Sequence, residues 1–563
     1  MTDFHQPPPR LGDPFRDDPV LLGYLARRVP SEIRATIEPG LARLATLAAG
    51  EMLSLADEAE RDPPRLVPFD PWGRLIDRIE VSLSWKRLHA IAAEEGVLAT
   101  AYERREGAWS RVHQIAKLYL YHPSSAVASC PLAMADGAAR VIELHGDADL
   151  RERVLPHLLS RDPATFWTSG QWMTERTGGS DVSGTSTVAV PSPANAGGFH
   201  LHGVKWFTSA TTAEIALALA RIEGAPEGSR GLSLFLIELG DGPPPERGIH
   251  VLRLKDKLGT RALPTAELEL VGAPARLVGE PGRGVATVAS MLNVTRLYNA
   301  TCAAASLGRA LALARDYATR RRAFGRLLAE QPLHLETLAD LAAEQAGAFH
   351  LVFHAAELVG REETGEASQT ERAVLRLLVP LAKLATGKQV VAGISEALEM
   401  IGGAGYVEDT GLPRMLRDAQ VLSIWEGTTN VLALDALRAI RRDGSHVALL
   451  ARLAETRDAI EDTATLALAE EAFGKMRDAV AWLERAAAEG TDALEAGARR
   501  FALQLARGAT ALLVAAQADL DLRTGRGPAM REAARRLLAP HGVAPEGIDR
   551  EAVRALALGA LGS

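Results

Sequence analysis

An abrupt change of texture near Phe166 constrains the fold more than any other feature of this chain. Before it, up to about His157, apolar residues recur at three- and four-residue spacing, as in Ile33–Leu53 and Leu88–Arg105, which predicts amphipathic helices. From Phe166 to about Glu280 the chain turns into short runs rich in β-branched and aromatic residues: Thr185–Val190, Phe199–Ser209, Glu214–Ile222, Leu232–Leu239, Ile249–Leu254 and Ala266–Gly272. Turn chemistry separates them, in Pro191–Gly198, Glu223–Gly231 and Gly240–Gly248, at the spacing of an antiparallel barrel or sandwich and not of βαβ units. Helical patterns resume at Gly284 in three long stretches, Val285–Phe324, Pro332–Gly360 and Glu371–Met400; Pro380 is expected to kink or split the third. A last Ala- and Leu-rich region, broken at Gly490 and at Gly525–Pro528, reads as an appended helical domain with a frayed end over Leu556–Ser563.

A block of strands between blocks of helices makes the chain multidomain α+β. The expected parts are an N-terminal helical domain (1–165), a central antiparallel β-barrel or sandwich domain (166–283), a helical bundle (284–440) and an appended C-terminal helical domain (441–563). At 563 residues the chain is too long for a single core.

Composition removes several function classes. Two cysteines, Cys130 and Cys302, are too few and too far apart for a disulfide framework or a structural zinc site, so no metal is expected and a reducing, cytoplasmic location is the simplest home. The opening residues, Met1 to Pro19, carry Asp3, Asp13, Asp17 and Asp18 and no apolar core, unlike a signal or transit peptide. With no run of 18 uninterrupted apolar residues, no membrane span is expected. A net charge of −8 disfavours capture of nucleic acid by the whole surface.

Standard cofactor loops fail on inspection. Gly403-Ala404-Gly405 starts like a dinucleotide fingerprint, but Glu408 sits where the third small residue belongs and the upstream pattern is helical. Gly387-Lys388 has no preceding P-loop glycine, and HExxH and GxSxG are absent. Four other clusters carry more specific chemistry: Met173–Asp181, Gly203–Ser209, Arg321–Gly325, and the pair Ile401–Tyr406 with Ile424–Asn430. Singly, each has a plain reading as a turn, a core tryptophan, a basic helix end with a glycine stop, or a surface acid ahead of a helix capped by Thr429 or Asn430.

In this order, on a helical–β–helical framework from about Pro19 to Ile440, the clusters resemble the acyl-CoA dehydrogenase flavoprotein superfamily. The branch resembled is that of the adaptive-response protein AidB, on Lys205-Trp206-Phe207, Leu254–Gly259 followed by Arg261, Glu399 before the Gly402-Gly403 pair, Ser423–Gly427 followed by Leu434–Arg438, and the appended domain. The resemblance implies FAD, with Gln171, Met173, Thr174, Trp206 and Thr208 at the flavin, Arg321 and Phe324 at its diphosphate and adenine across a subunit interface, and Gly402, Gly403 and Thr428 at the same cofactor. Ser180 and Gly427 match substrate-lining positions.

Glu426 matches the catalytic base of the dehydrogenases. Desaturation of a saturated thioester needs a carboxylate that takes the α-proton while hydride leaves the β-carbon, and Ile424 and Trp425 are expected to desolvate it. Its backbone amide would help polarise the thioester carbonyl. The implied partners are an acyl-CoA, an external electron acceptor such as an electron-transfer flavoprotein, and further copies of the chain as a dimer of dimers. An ionised Glu399 near a diphosphate would repel it unless an arginine compensates.

A DNA-binding flavoprotein of the alkylation response, with a vestigial or secondary dehydrogenase site, is the alternative; it predicts a basic C-terminal domain. Residues 441–563 hold 17 Lys and Arg against 18 Asp and Glu, with one cluster at Arg523, Arg526, Arg531, Arg535 and Arg536. DNA is therefore possible but not favoured.

Overall fold

The computed structural model describes residues 6–193, 197–240, 242–539 and 549–560. The first residues of the N-terminal arm with Asp3, the middle of the Pro191–Gly198 turn, Asp241 and the last three residues lie outside that range. The chain divides into two compact units that interleave in sequence: one of residues 50–103 and 124–298, the other of residues 1–49, 104–123 and 299–563.

The 50–103 and 124–298 unit holds the main sheet and an N-terminal hairpin. β1 (Arg65–Phe69) and β2 (Leu75–Glu80) form an antiparallel hairpin inside the region read as wholly helical; its turn is Asp70-Pro71-Trp72-Gly73, with Asp70 Oδ1 accepting from the amides of Trp72 (2.8 Å) and Arg74 (2.9 Å). Such Pro/Gly punctuation between β-branched runs was a visible strand signal. The main sheet uses β3 (Ser169–Trp172), β4 (Val188–Pro191), β5 (Gly198–Ser209), β6 (Ile215–Ile222), β7 (Leu232–Glu238), β8 (Ile249–Leu254) and β9 (Thr265–Val278). Its order is β3-β6-β4-β5-β9-β7, and β7 pairs back onto β6, so five strands close into a ring with β3 and β8 attached outside it. Pairing is mainly antiparallel, with two short parallel contacts, β3 and β4 each against β6. Closure explains why six consecutive residues of β6 and of β7 are buried: both faces of these strands are covered, so alternation gives way to a continuous apolar run. The Ser129–His145 helix covers one side of the barrel with Ala135, Ala138 and Ile142 against Leu217, Leu219 and Leu234.

The other unit is helical, with Pro332–Glu363, Gln369–Ile401, Thr463–Glu489 and Thr491–Arg523 as its long members. Gln369–Ile401 starts at a capping box: Ser368 Oγ accepts from the Glu371 amide (3.1 Å) and the Glu371 carboxylate from the Ser368 amide (2.8 Å). Of the kink or split expected at Pro380, the split does not occur: the helix runs unbroken through it. Proline removes one ladder hydrogen bond, but here it sits in the most buried stretch, where packing on both sides holds the two halves in register. Arg27 binds Asp521 (2.7 Å) and Arg111 binds Glu363 (2.7 Å), both as buried pairs, so the N-terminal helix and the appended helices share one unit. Two helices, Gln369–Tyr406 and Thr491–Arg523, are long and apolar enough to cross a membrane by length and composition, but 72% of the apolar window of each is buried within the fold, as in core helices.

Candidate active site

In the β unit the first two sequence clusters come together. The Trp206 amide donates to the Thr174 carbonyl (2.9 Å), and beneath this contact lies a buried ion pair, Lys205 Nζ to Glu175 Oε1 at 2.8 Å. Glu175 also accepts from the amides and hydroxyls of Ser186 and Thr187, and Lys205 donates to the Leu219 carbonyl (2.8 Å). Burial alone would push the Glu175 carboxyl up; Lys205 and the hydroxyl donors overcome that and hold it at about 2. Both charges are compensated, as buried charges must be. The pair locks β5 to the Met173–Thr174 segment.

β5 and β9 lose register between Lys205 and Thr208, so Trp206 and Phe207 together face Glu267. This bulge re-aims the two aromatics, a device common beside active sites. Lys255 Nζ lies 3.8 Å from the Trp206 ring centroid and Arg176 5.2 Å away. Thr208 is fully buried and spends its proton on the Ala266 carbonyl (2.8 Å), so toward a cofactor it can only accept. Met173 packs on the barrel core, and Ser180 is exposed beside Asp181, whose carboxylate caps a short turn at the Ser183 amide.

FAD fits this half-site on one specific observation. Gln171 Oε1 is a buried acceptor without a partner among the described residues, next to Met173 and Thr174. A buried amide oxygen calls for a donor, and a flavin carries one.

The helical unit carries the remaining positions. Arg321 leads into a tight hairpin of β10 (Arg322–Ala323) and β11 (Arg326–Leu327), with Phe324 (φ 51°) and Gly325 (φ 79°) as its two turn residues. Positive φ at both positions defines a type I′ turn, which a phenylalanine adopts only at a cost. Its ring is 99% exposed. The segment read as a helix end with a glycine stop is thus a hairpin that presents an aromatic side chain outward. Nothing within 4 Å would obstruct a Cβ at Gly402 or Gly403, so this backbone is open to close approach by another group. Glu399 is exposed and forms no ion pair with a described residue; it and Asp340 add to burial in pushing Glu396 up.

Glu426 is half-buried and has a left-handed backbone, φ 57°, followed by Gly427 at φ 104°. Such strain, about 1–2 kcal/mol for a residue with a Cβ, persists only where neighbours over-determine it. Here they do. Lys383 Nζ, buried on the Gln369–Ile401 helix, donates to the Gly427 carbonyl (2.5 Å). One turn along the same face, a Cβ at Gly387 would meet the Leu422 carbonyl at 2.8 Å, so only glycine lets the loop lie this close. Asn299, with its amide turned to satisfy both neighbours, donates to the Leu422 carbonyl (3.0 Å) and accepts from Trp425 Nε1 (2.5 Å). The 422–427 loop is therefore fastened at both ends.

Two expectations need correction. Ile424 is 59% exposed, so within one chain it does not shield Glu426: the tight turn that orients the glutamate points its neighbour outward. The N-cap of the following helix is Thr428, not Thr429 or Asn430, and its side chain makes no capping bond, which leaves the hydroxyl open to another partner. Sequence reasoning missed Lys383, Gly387 and Asn299. The available signal was a lone lysine amid the apolar run Leu377–Leu384, four residues before a glycine.

Residues 6–163 match the adaptive response protein AidB N-terminal domain, residues 170–272 the acyl-CoA dehydrogenase middle domain and residues 282–440 the acyl-CoA dehydrogenase C-terminal domain. Over 444 residues the chain is 46% identical to acyl-CoA dehydrogenase family member 11 of Caenorhabditis elegans, covering 77% of this chain and 72% of that protein. The chain belongs to the acyl-CoA dehydrogenase family. It shares 32% identity over 414 residues with AidB of Escherichia coli (strain K12), 72% of this chain and 74% of that one. The crystal structure of Caenorhabditis elegans ACDH-11 in complex with C11-CoA is 40% identical, has a TM-score of 0.91 and covers 96% of this chain and 93% of its own. The chain is accordingly an FAD-dependent oxidoreductase of the AidB-like branch, with helical N- and C-terminal parts around a central β domain.

Proposed function

We propose that this enzyme desaturates an acyl-CoA between Cα and Cβ, with Glu426 as the base. The observation that carries the assignment is the strained, doubly fastened loop that presents this carboxylate, since a surface acid needs no such restraint. FAD, when bound, supplies a two-electron acceptor for the hydride that leaves Cβ. Glu426 takes the α-proton, and the C–H pair electrons form the new double bond. Gln171, Met173, Thr174, Trp206 and Thr208 are the positions that would hold the flavin, and Arg321, Phe324, Gly402, Gly403 and Thr428 those for the remainder of the cofactor. Ser180 and Gly427 would meet the thioester.

The ACDH-11 relative was crystallised with C11-CoA, which supports a CoA thioester as the substrate class here. An external electron carrier such as an electron-transfer flavoprotein would reoxidise the enzyme. A dimer of dimers is part of the same reading, because a fully exposed Phe324 on a strained turn suits a partner surface. So is a cytoplasmic location, suited by two cysteines of which neither is in a disulfide.

DNA binding is not favoured. Among the clustered arginines, Arg523 pairs with Glu461 and Asp519, Arg531 with Asp462, Arg535 with Glu532, and Arg536 with Glu336, Asp340 and Glu532, while Arg526 lies near Asp521. Arginines already neutralised by carboxylates offer little to a phosphate backbone.

Anaerobic addition of acyl-CoAs to the purified yellow protein tests the assignment. At least one chain length should bleach the wild type and leave Glu426→Gln yellow; bleaching of that variant at the wild-type rate removes Glu426 from the role of base.

A further inference from the structure

Apart from the residues assigned above, the helical unit contains a cavity of about 260 Å³ among the Pro19–Arg28, Pro332–Glu363, Ser445–Asp458 and Thr491–Arg523 helices. Neither Glu426 nor Lys383 lines it. His350, His354 and Glu357 share one face of the Pro332–Glu363 helix and form one wall. Glu357 is saturated: it accepts from the Tyr24 hydroxyl (2.7 Å) and from Arg28 Nε and Nη2 (3.4 and 3.2 Å).

The two histidines are not saturated. Each is 6% exposed, yet His350 Nε2 and both ring nitrogens of His354 lack a hydrogen-bond partner among the described residues. His354 Nδ1 is 3.9 Å from Glu357 Oε2, close enough for an ion pair when the ring is protonated but beyond hydrogen-bond reach, so its N–H groups still call for an acceptor. Arg452 Nε is likewise buried without a partner, while its Nη1 holds Glu455 at 3.0 Å. Buried polar groups are rarely left so, and three of them around one cavity point to a complement that is not part of the fold.

The chemistry of that complement follows from what is left over. The cationic lining groups, Arg28, Arg452 and Arg523, are matched in number by Glu357, Glu455 and Asp519, and the unspent groups are a guanidinium N–H and imidazole nitrogens. No carboxylate on this wall is left without a donor, which argues against a cation, and no group of three potential metal ligands occurs among the described residues. Ile460, Leu513 and Leu520 give the lining an apolar side. Burial, helped by Arg28, pushes His350 down to about 3, so its ring is neutral at physiological pH and has an N–H to offer.

We propose that this cavity binds a small organic carboxylate, its oxygens on Arg452 Nε, His354 and His350 and its short apolar body on Ile460, Leu513 and Leu520. The site is distinct from the acyl-CoA site and its occupancy does not require Glu426.

Calorimetric titration of the full-length flavoprotein with hexanoate, with inorganic phosphate as the comparison probe, tests the proposal. Hexanoate should bind one site per chain, with Arg452→Gln and His354→Phe each weakening it by about tenfold or more, the worth of a lost charge-assisted hydrogen bond. Arg452 is partly solvent-exposed, so its variant leaves the fold intact should His354→Phe disturb it. Glu426→Gln should bind hexanoate as the wild type does. Absence of binding at millimolar hexanoate, unchanged affinity in both cavity variants, or displacement of hexanoate by acyl-CoA would each overturn the proposal. Phosphate binding as tight as hexanoate would overturn the carboxylate assignment.

Discussion

Lys383→Met tests whether the loop that carries Glu426 is positioned by the helix beneath it. The substitution keeps a long unbranched side chain in a site that is 1% exposed, so little volume is lost, but it deletes the 2.5 Å charge-assisted bond to the Gly427 carbonyl. Such a bond is worth about 1.5–3 kcal/mol. If the restraint is used to hold Glu426 at the α-carbon in the transition state, the same energy comes off the rate. At about 1.4 kcal/mol per decade this lowers kcat by roughly ten- to a hundredfold, with little change in KM. The assay is stopped-flow bleaching under anaerobic acyl-CoA together with steady-state turnover, both expressed per bound flavin. A merely structural lysine would lower the melting temperature and the flavin content but leave the rate per flavin alone. A bleaching rate within about twofold of wild type, at full flavin content, refutes the reasoning. Gly387→Ala attacks the same seat from the next turn of the helix, since its methyl would meet the Leu422 carbonyl at 2.8 Å, and should shift the rate in the same direction.

Glu426→Gly should stabilise the apoprotein by about 1 kcal/mol, by releasing a left-handed conformation that glycine adopts freely, while abolishing bleaching; a loss of stability in denaturant unfolding would show that no strain is stored there. Phe324→Gly should leave the fold of the chain intact, because the ring contributes no burial, yet lower bound FAD per chain and shift sedimentation toward smaller species; unchanged values of both would remove Phe324 from the cofactor and interface role. The Glu175 carboxyl, held at about 2 against an ordinary 4.5, contributes stability that is present above pH of about 4.5 and is lost as pH falls toward 2. Glu175→Gln should therefore flatten the acid limb of the stability–pH curve between those values, and an unaltered limb in urea unfolding would contradict the buried pair.

Much of the architecture was legible without coordinates, because it is written in local periodicity. Helices announce themselves by spacing, as in Pro332–Gly360, and the strands of the barrel by β-branched runs between Gly- and Pro-rich turns. Likewise Glu426, Trp206 and the Gly402-Gly403 pair stand out by residue type and order along the chain. Where local signals were weak or outweighed, the reading failed. The β1–β2 hairpin was lost inside a helical texture, and at Pro380, where a kink or a split was expected, the surroundings keep the helix continuous.

What the tertiary structure alone decided are the pairings between residues distant in sequence. Ring closure by β7 on β6, the two parallel contacts of β6, and the bulge that turns Trp206 depend on which strands meet, and no local pattern encodes that choice. The same holds for Lys383 reaching Gly427, Asn299 reaching Trp425 and Lys205 finding Glu175. A lysine in a helix is an ordinary surface residue until burial removes its water; only then must it find an acceptor, and which carbonyl it finds is set by the packing of one helix under one loop.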